Sequence, residues 1–182
     1  PSLQNVFAGQ NNPVIGILIG TGITAIIQSS AASVAMLQAV ASSTAVVFSS
    51  AFPIIMGQNI GTCVTALLSS VGASKNAKRA AMIHLYFNII GTIVFMVVIY
   101  ALQYTLGLPF WHSAINATDI SIFHSIFNVA STIMLLPFSR LLVWLAQKTI
   151  KDTKHEETES PFALLDDRFL STPSIAINNV HT

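Results

Sequence analysis

The sequence predicts an all-α, polytopic membrane protein whose helices are interrupted by polar breaks, followed by a short water-exposed tail. Three observations carry this. The chain of 182 residues is 53% hydrophobic and only 8% charged, well outside soluble-domain averages. Residues 1–74 contain no Asp, Glu, Lys or Arg. The apolar stretches are also too long, and too polar at their centres, to be single straight spans. Charge is partitioned: Lys75, Lys78, Arg79 and Arg140 stand against Asp119 up to Gln147, whereas the tail from Lys148 is net acidic. A membrane part and an aqueous part are joined in one chain. Cys63 is the only cysteine, so it forms no internal disulfide and reads as a buried, inert thiol. No signal peptide is visible and the chain begins at Pro1 without a Met, which reads as a piece of a longer protein.

From Pro13 to Phe52 the chain is apolar. As one helix of about 40 residues it would run roughly 60 Å, about twice the hydrocarbon thickness of a bilayer. The expected breaking point is Gln28-Ser29-Ser30, whose side chains compete for backbone hydrogen bonds, with Gly16, Gly20 and Gly22 thinning the helix before it. Two half-helices meeting at a polar tip follow. The stretch Ala51 to Val71 contains Gly57-Gln58-Asn59-Ile60-Gly61-Thr62, and a second break is expected there. Such interruptions persist at membrane depth only where they are buried in protein or line a wet cavity.

Lys75-Asn76-Ala77-Lys78-Arg79 reads as a basic loop, followed by an apolar span from about Ala80 to Leu106. A polar segment with Gly107, Pro109, Trp111, His112 and Asp119 precedes a last span from about Ile120 to Leu145, which ends at Lys148 and Lys151. The positive-inside rule places both basic clusters in the cytoplasm, with 107–119 as an outside loop and Trp111 and Trp144 near opposite interfaces. Asp119 reads as an exposed loop residue or helix cap. His84, Phe87, Asn88, Thr92 and Ile93 recur forty residues later as His124, Phe127, Asn128, Thr132 and Ile133. Spacings of three and four put His, Asn, a small residue and Thr on one stripe, expected to face protein. His84 and His124 read as interhelical hydrogen-bonding groups in preference to proton relays. In the tail, Lys151 to Glu159 reads as a solvated linker and Ser171-Thr172-Pro173 as a helix start.

These residues resemble the sodium/phosphate cotransporter family in its bacterial form, a membrane domain followed by a cytosolic PhoU-like helical domain. Gln28-Ser29-Ser30-Ala31-Ala32-Ser33 is similar to the family's QSSS signature, with Ala31 in place of the third serine. Gly57-Gln58-Asn59-Ile60-Gly61-Thr62-Cys63-Val64-Thr65 is similar to its G-x-N-I-G-T-x-[VI]-T signature, and Lys78-Arg79-Ala80-Ala81, His84, Phe87-Asn88, His124, Phe127-Asn128 and Pro137 follow the same pattern. The resemblance implies two inverted repeats, each with one copy of both signatures. This chain has one copy, so residues 1–147 are expected to be the second repeat. Residues 148–182 would be the linker and the start of the PhoU-like domain, where Leu165-Asp166-Asp167-Arg168-Phe169-Leu170 lies.

The function implied is sodium-coupled import of inorganic phosphate across the plasma membrane, with a multi-pass chain and a cytoplasmic C-terminus. Phosphate in a low-dielectric site needs opposite charge or many donors, and residues 1–74 supply no Lys or Arg. Backbone N–H groups at half-helix ends, hydroxyls and a co-bound cation remain. Gln28, Ser29, Ser30, Asn59, Gly61, Thr62 and Thr65 are expected to form half of the site, with Gln28, Ser29, Ser30 and Thr62 as transient sodium ligands. The other half would come from the first repeat or a second copy. Sodium is then a co-substrate; no cofactor, nucleic-acid partner or catalytic activity is expected. A phosphate-sensing anchor for a PhoU-like domain is the alternative reading. An intramembrane hydrolase using Ser29 or Ser30 lacks a Gly-flanked nucleophile turn.

Overall fold

A computed structural model describes residues 12–151. The expected linker from Lys151 and the helix start at Ser171-Thr172-Pro173 therefore lie outside the described residues, apart from Lys151 itself. Six α-helices follow one another: α1 (Pro13–Ile27), α2 (Ser30–Ser43), α3 (Phe48–Ser69), α4 (Lys75–Leu106), α5 (Ala117–Leu135) and α6 (Ser139–Thr149), with a 3-10 turn at Leu136–Phe138. Among the described residues the one β pairing is an isolated bridge, Val47 to Ala114. The chain is all-α, and three stretches are long and apolar enough to cross a membrane: α3, α4, and the run Ala117–Thr149 formed by α5 and α6.

The break at Gln28-Ser29 is present and turns the chain back on itself. At 15 and 14 residues, α1 and α2 are ~22 and ~21 Å long, short of the ~30 Å a bilayer core requires. They form a hairpin that enters and leaves on one side of the bundle. A second turn, at 44–47, joins α2 to α3. Ser42, Ser43 and Thr44 divert their hydroxyls onto Gln38 and Val40 carbonyls there, and Val46 O accepts from Ile115 N at 2.8 Å.

The break expected at Gly57–Thr62 is not there. Helix α3 runs unbroken through it. Its polar side chains bond back along their own helix, Asn59 Nδ2 to Ile55 O at 2.9 Å and Thr62 Oγ1 to Gln58 O at 3.0 Å, so they satisfy themselves without unwinding it. The glycines serve close approach instead. A Cβ at Gly57 would collide with the Ile17 carbonyl, and one at Gly61 would lie 2.6 Å from Thr21 O. Pairing of Gly16 with Pro53, Gly20 with Gln58 and Gly61 with Thr24 shows that α1 and α3 run parallel, backbone against backbone.

Other boundaries shift for local reasons. Lys75–Arg79 is the opening of α4, not a loop, because Ser74 caps the helix through its Oγ and Ala77 N. The last span starts at Ala117 under a capping box: Asn116 Oδ1 accepts from Asp119 N, and Asp119 Oδ2 accepts from Asn116 N. Asp119 is thus the third residue of that helix, and Asn116 is its cap. The span is interrupted at Leu136–Phe138, where Pro137 withholds a backbone donor.

Two ends of the bundle can be told apart. At one, the 44–48 connection meets the 107–116 loop, and Phe48, Tyr100, Phe110, Trp111 and Phe123 pack ring against ring. Trp111 is buried there, inside protein and not facing lipid as an interface tryptophan would. At the other, Arg79 donates to Ile150 O, Tyr86 bonds Thr149 at 2.6 Å, and Lys148 sits over the Trp144 ring. Lys75, Lys78, Arg79 and Lys148 all lie at this second, basic end.

Candidate functional site

The hairpin tip is built by three residues. Gln28 ends α1 in the left-handed region, φ 58° and ψ 23°, and its N–H donates to Thr24 O at 2.7 Å; it is the one non-glycine residue with positive φ in the structure's described part. Ser29 then extends the chain and caps α2, accepting from Ala32 N. Behind the tip Thr24 Oγ1 donates to Ser33 Oγ at 2.7 Å, and Gln58 Nε2 donates to Ser33 O at 2.9 Å, which fixes the hairpin to α3. Gln58 is 1% exposed, and its Oε1 has no partner.

Beside the tip lies a cavity of about 200 Å³. Ser30 lines it from the hairpin, Asn59 and Thr62 from α3, His84, Phe87 and Asn88 from α4, and His124 and Asn128 from α5. None of these carries a formal charge at neutral imidazole. The forty-residue recurrence therefore has a spatial meaning: both copies of His-x-x-x-Asn meet at one cavity, each presented from a different helix. Spacing of four keeps His and Asn one above the other on each helix.

Asparagines join the walls. Asn128 Nδ2 donates to Asn59 Oδ1 at 3.2 Å and to His124 O at 2.8 Å; Asn88 Nδ2 donates to Cys63 Sγ at 3.3 Å and to His84 O at 3.0 Å. Cys63 is buried and free, and serves as a packing and hydrogen-bonding group between α3 and α4. The histidine side chains do not fill the bridging role expected of them. His124 lines the cavity, and its Nε2 is buried with no partner.

The expected site residues divide. Ser30, Asn59 and Thr62 reach the cavity together with His84, Asn88, His124 and Asn128. Gln28 is exposed at the tip and Ser29 is half-buried as a cap. Gly61 is buried in the α1 contact and presents no group to the cavity. Thr65 lies one turn further along α3, its Oγ1 buried and unpartnered. Along the stripe Thr92 is buried and donates to Met56 O, and Ser131 is buried, but Thr132 is exposed and bonds its own helix at Asn128 O. Gln58, Thr24 and Ser33 were missed. The signal for Gln58 was its place inside the second signature, and for Ser33 its place at the end of the first; Thr24 carries no such mark.

A family model described as Na+/Pi-cotransporter matches residues 2–115. The chain is 32% identical over 125 residues to the uncharacterized protein YqeW of Bacillus subtilis, covering 69% of this chain and 40% of that one. It is 26% identical over 187 residues to YjbB of Salmonella typhimurium, a protein named for inorganic phosphate export, covering 97% of this chain and 32% of YjbB. It is 36% identical over 100 residues to the sodium-dependent phosphate transport protein 2B of Homo sapiens, covering 52% of this chain and 14% of the relative. The chain thus spans well under half the length of these relatives. No solved structure matches it.

Proposed function

The chain belongs to the Na+/Pi-cotransporter family, and from that membership we propose that it is one repeat of a secondary transporter that moves inorganic phosphate into the cell together with sodium. The observation that carries the reading is the cavity at the hairpin tip, to which the hairpin, α3, α4 and α5 each contribute a polar side chain and none contributes a formal charge. An anion there is balanced by donors and a co-bound cation, since no Lys or Arg lines it. At about 30 Å³ per water molecule, 200 Å³ holds a small oxyanion with an ion or a few waters.

The cation would take oxygen ligands near the tip: the Gln28 carboxamide, the Ser29, Ser30 and Thr62 hydroxyls, and the buried, unpartnered Gln58 Oε1 and Thr65 Oγ1. The exposed tip implies that these ligands are half of a set, completed by the first repeat or by a second copy, with alternating access as movement of the two halves about the site. With the basic end in the cytoplasm, the hairpin enters from outside and the C-terminus is cytoplasmic, in the plasma membrane.

Radiolabelled phosphate uptake by the full-length protein in sealed vesicles tests the reading. Uptake is expected to rise with an inward sodium gradient and to vanish in Gln28→Ala. Normal uptake by a correctly inserted Gln28→Ala protein would remove Gln28 from the site. Sodium-independent uptake would remove the coupling, and efflux without influx would reverse the direction, as the name of YjbB suggests for that relative.

A further inference from the structure

We propose that His84 and His124 are the groups of the cavity that contact the anion, an inference that rests on the phosphate-transport reading above. It follows from which donors are already committed. Both hydrogens of Asn128 Nδ2 go to Asn59 Oδ1 and His124 O, and both of Asn88 Nδ2 go to Cys63 Sγ and His84 O. The one proton of Thr62 Oγ1 goes to Gln58 O, and Asn59 Nδ2 has given one of its two to Ile55 O. Among the lining residues the donors left for a ligand are the two imidazoles, the Ser30 hydroxyl and a single Asn59 hydrogen.

His124 sharpens the case. His124 lines the cavity, and its Nε2 is buried without any partner. A buried polar nitrogen left unsatisfied is costly, and native structures keep few of them. Rotated into the cavity, that nitrogen would donate to a phosphate oxygen, or accept from a phosphate O–H in its other tautomer, which removes the cost. The asparagine pairs behind the rings hold the backbone of each histidine, since Asn88 and Asn128 donate to the carbonyls of His84 and His124. The two halves of the forty-residue recurrence thus present one imidazole each to the same ligand, from α4 and from α5.

The test is made on the full-length protein in sealed vesicles with inorganic phosphate as the probe. His124→Ala and His84→Ala are expected to raise the phosphate KM about ten- to a hundredfold, the range of a lost hydrogen bond to a charged group. His124→Gln, which keeps a donor near the Nε2 position, should recover much of the loss, and His112→Ala, at the far end, should change nothing. Separately, phosphate should protect His84 and His124, but not His112, from diethyl pyrocarbonate, read peptide by peptide by mass spectrometry. An unchanged KM in both alanine variants, or modification of both histidines at the same rate with and without phosphate, overturns the proposal. If the wild-type protein takes up no phosphate, the transport reading fails; the protection measurement then judges the contact by itself.

Discussion

At the scale of single residues, Gln28 and Gly57 show how one position can serve the backbone, the side chain, or both. Gln28 holds a left-handed conformation that costs an L-residue about 1 kcal/mol and costs glycine little. Gln28→Gly should therefore keep the hairpin and leave thermal unfolding in detergent unchanged or slightly higher. The same variant should lose sodium-dependent uptake, because it removes the carboxamide and spares the turn. Retained uptake would assign Gln28 to the turn alone. Gly57 is the converse case, a residue needed for having no side chain. Gly57→Ala forces a methyl into the Ile17 carbonyl and should destabilise by about 1–3 kcal/mol, whereas Gly22→Ala, whose methyl meets nothing within 4 Å, should stabilise by up to about 1 kcal/mol. Paired thermal melts of the two variants in one detergent decide this. The sequence showed that glycines were concentrated here, and the two uses of glycine look identical in it: freedom of φ and absence of Cβ leave the same letter. That is why the sequence predicts a break at Gly57 and Gly61 where the structure has a contact.

At the scale of elements, the polar residues of α3 explain the rest of that misreading. Asn59 and Thr62 could have marked an unwound segment, but each bonds the carbonyl four residues back, a choice the letters do not reveal. The break at Gln28-Ser29-Ser30 was legible because no such rescue was available over a stretch twice too long to span. The turn at 44–47 went unread although Ser42-Ser43-Thr44 offered the same kind of signal. The candidate site was partly legible: the recurrence of His-x-x-x-Asn marks an interhelical stripe in the sequence, while its place in a cavity with Ser30 and Thr62 required the bundle. Capping at the start of α5 makes an element-scale prediction. Asn116→Ala removes the acceptor for Asp119 N and leaves the reciprocal bond without its mate. A loss of about 1 kcal/mol is expected in thermal unfolding. Asn116→Ser should restore most of it; equal melting of all three proteins would show that packing against the 44–48 connection, and not the cap, sets the start of the helix.

At the scale of the whole molecule, the arrangement of α1 and α2 decides which side of the membrane each connection faces. Two collinear half-helices would form one broken span and put Asn12 and Ala45 on opposite sides. A hairpin puts them on the same side. Parallel packing of α1 on α3 sets the start of α1 beside Pro53, and the bond from Ile115 N to Val46 O sets the end of α2 beside the 107–116 loop. Both ends of the hairpin therefore share a level with Ser113, and Asn76, in the basic opening of α4, lies at the other end of the bundle. Positive-inside logic predicts that the Asn76 end is cytoplasmic. Single cysteines at Asn12, Ala45, Ser113 and Asn76, all exposed positions, can be labelled with a membrane-impermeant maleimide, and Cys63, being buried, can stay in place as a silent background. The first three should label in intact cells and Asn76 only in inverted vesicles. Labelling of Ala45 from the side opposite to Asn12 would dissolve the hairpin, and with it the tip that brings Ser30 to the cavity; all four positions reversed would keep the hairpin and invert the direction from which the site is reached.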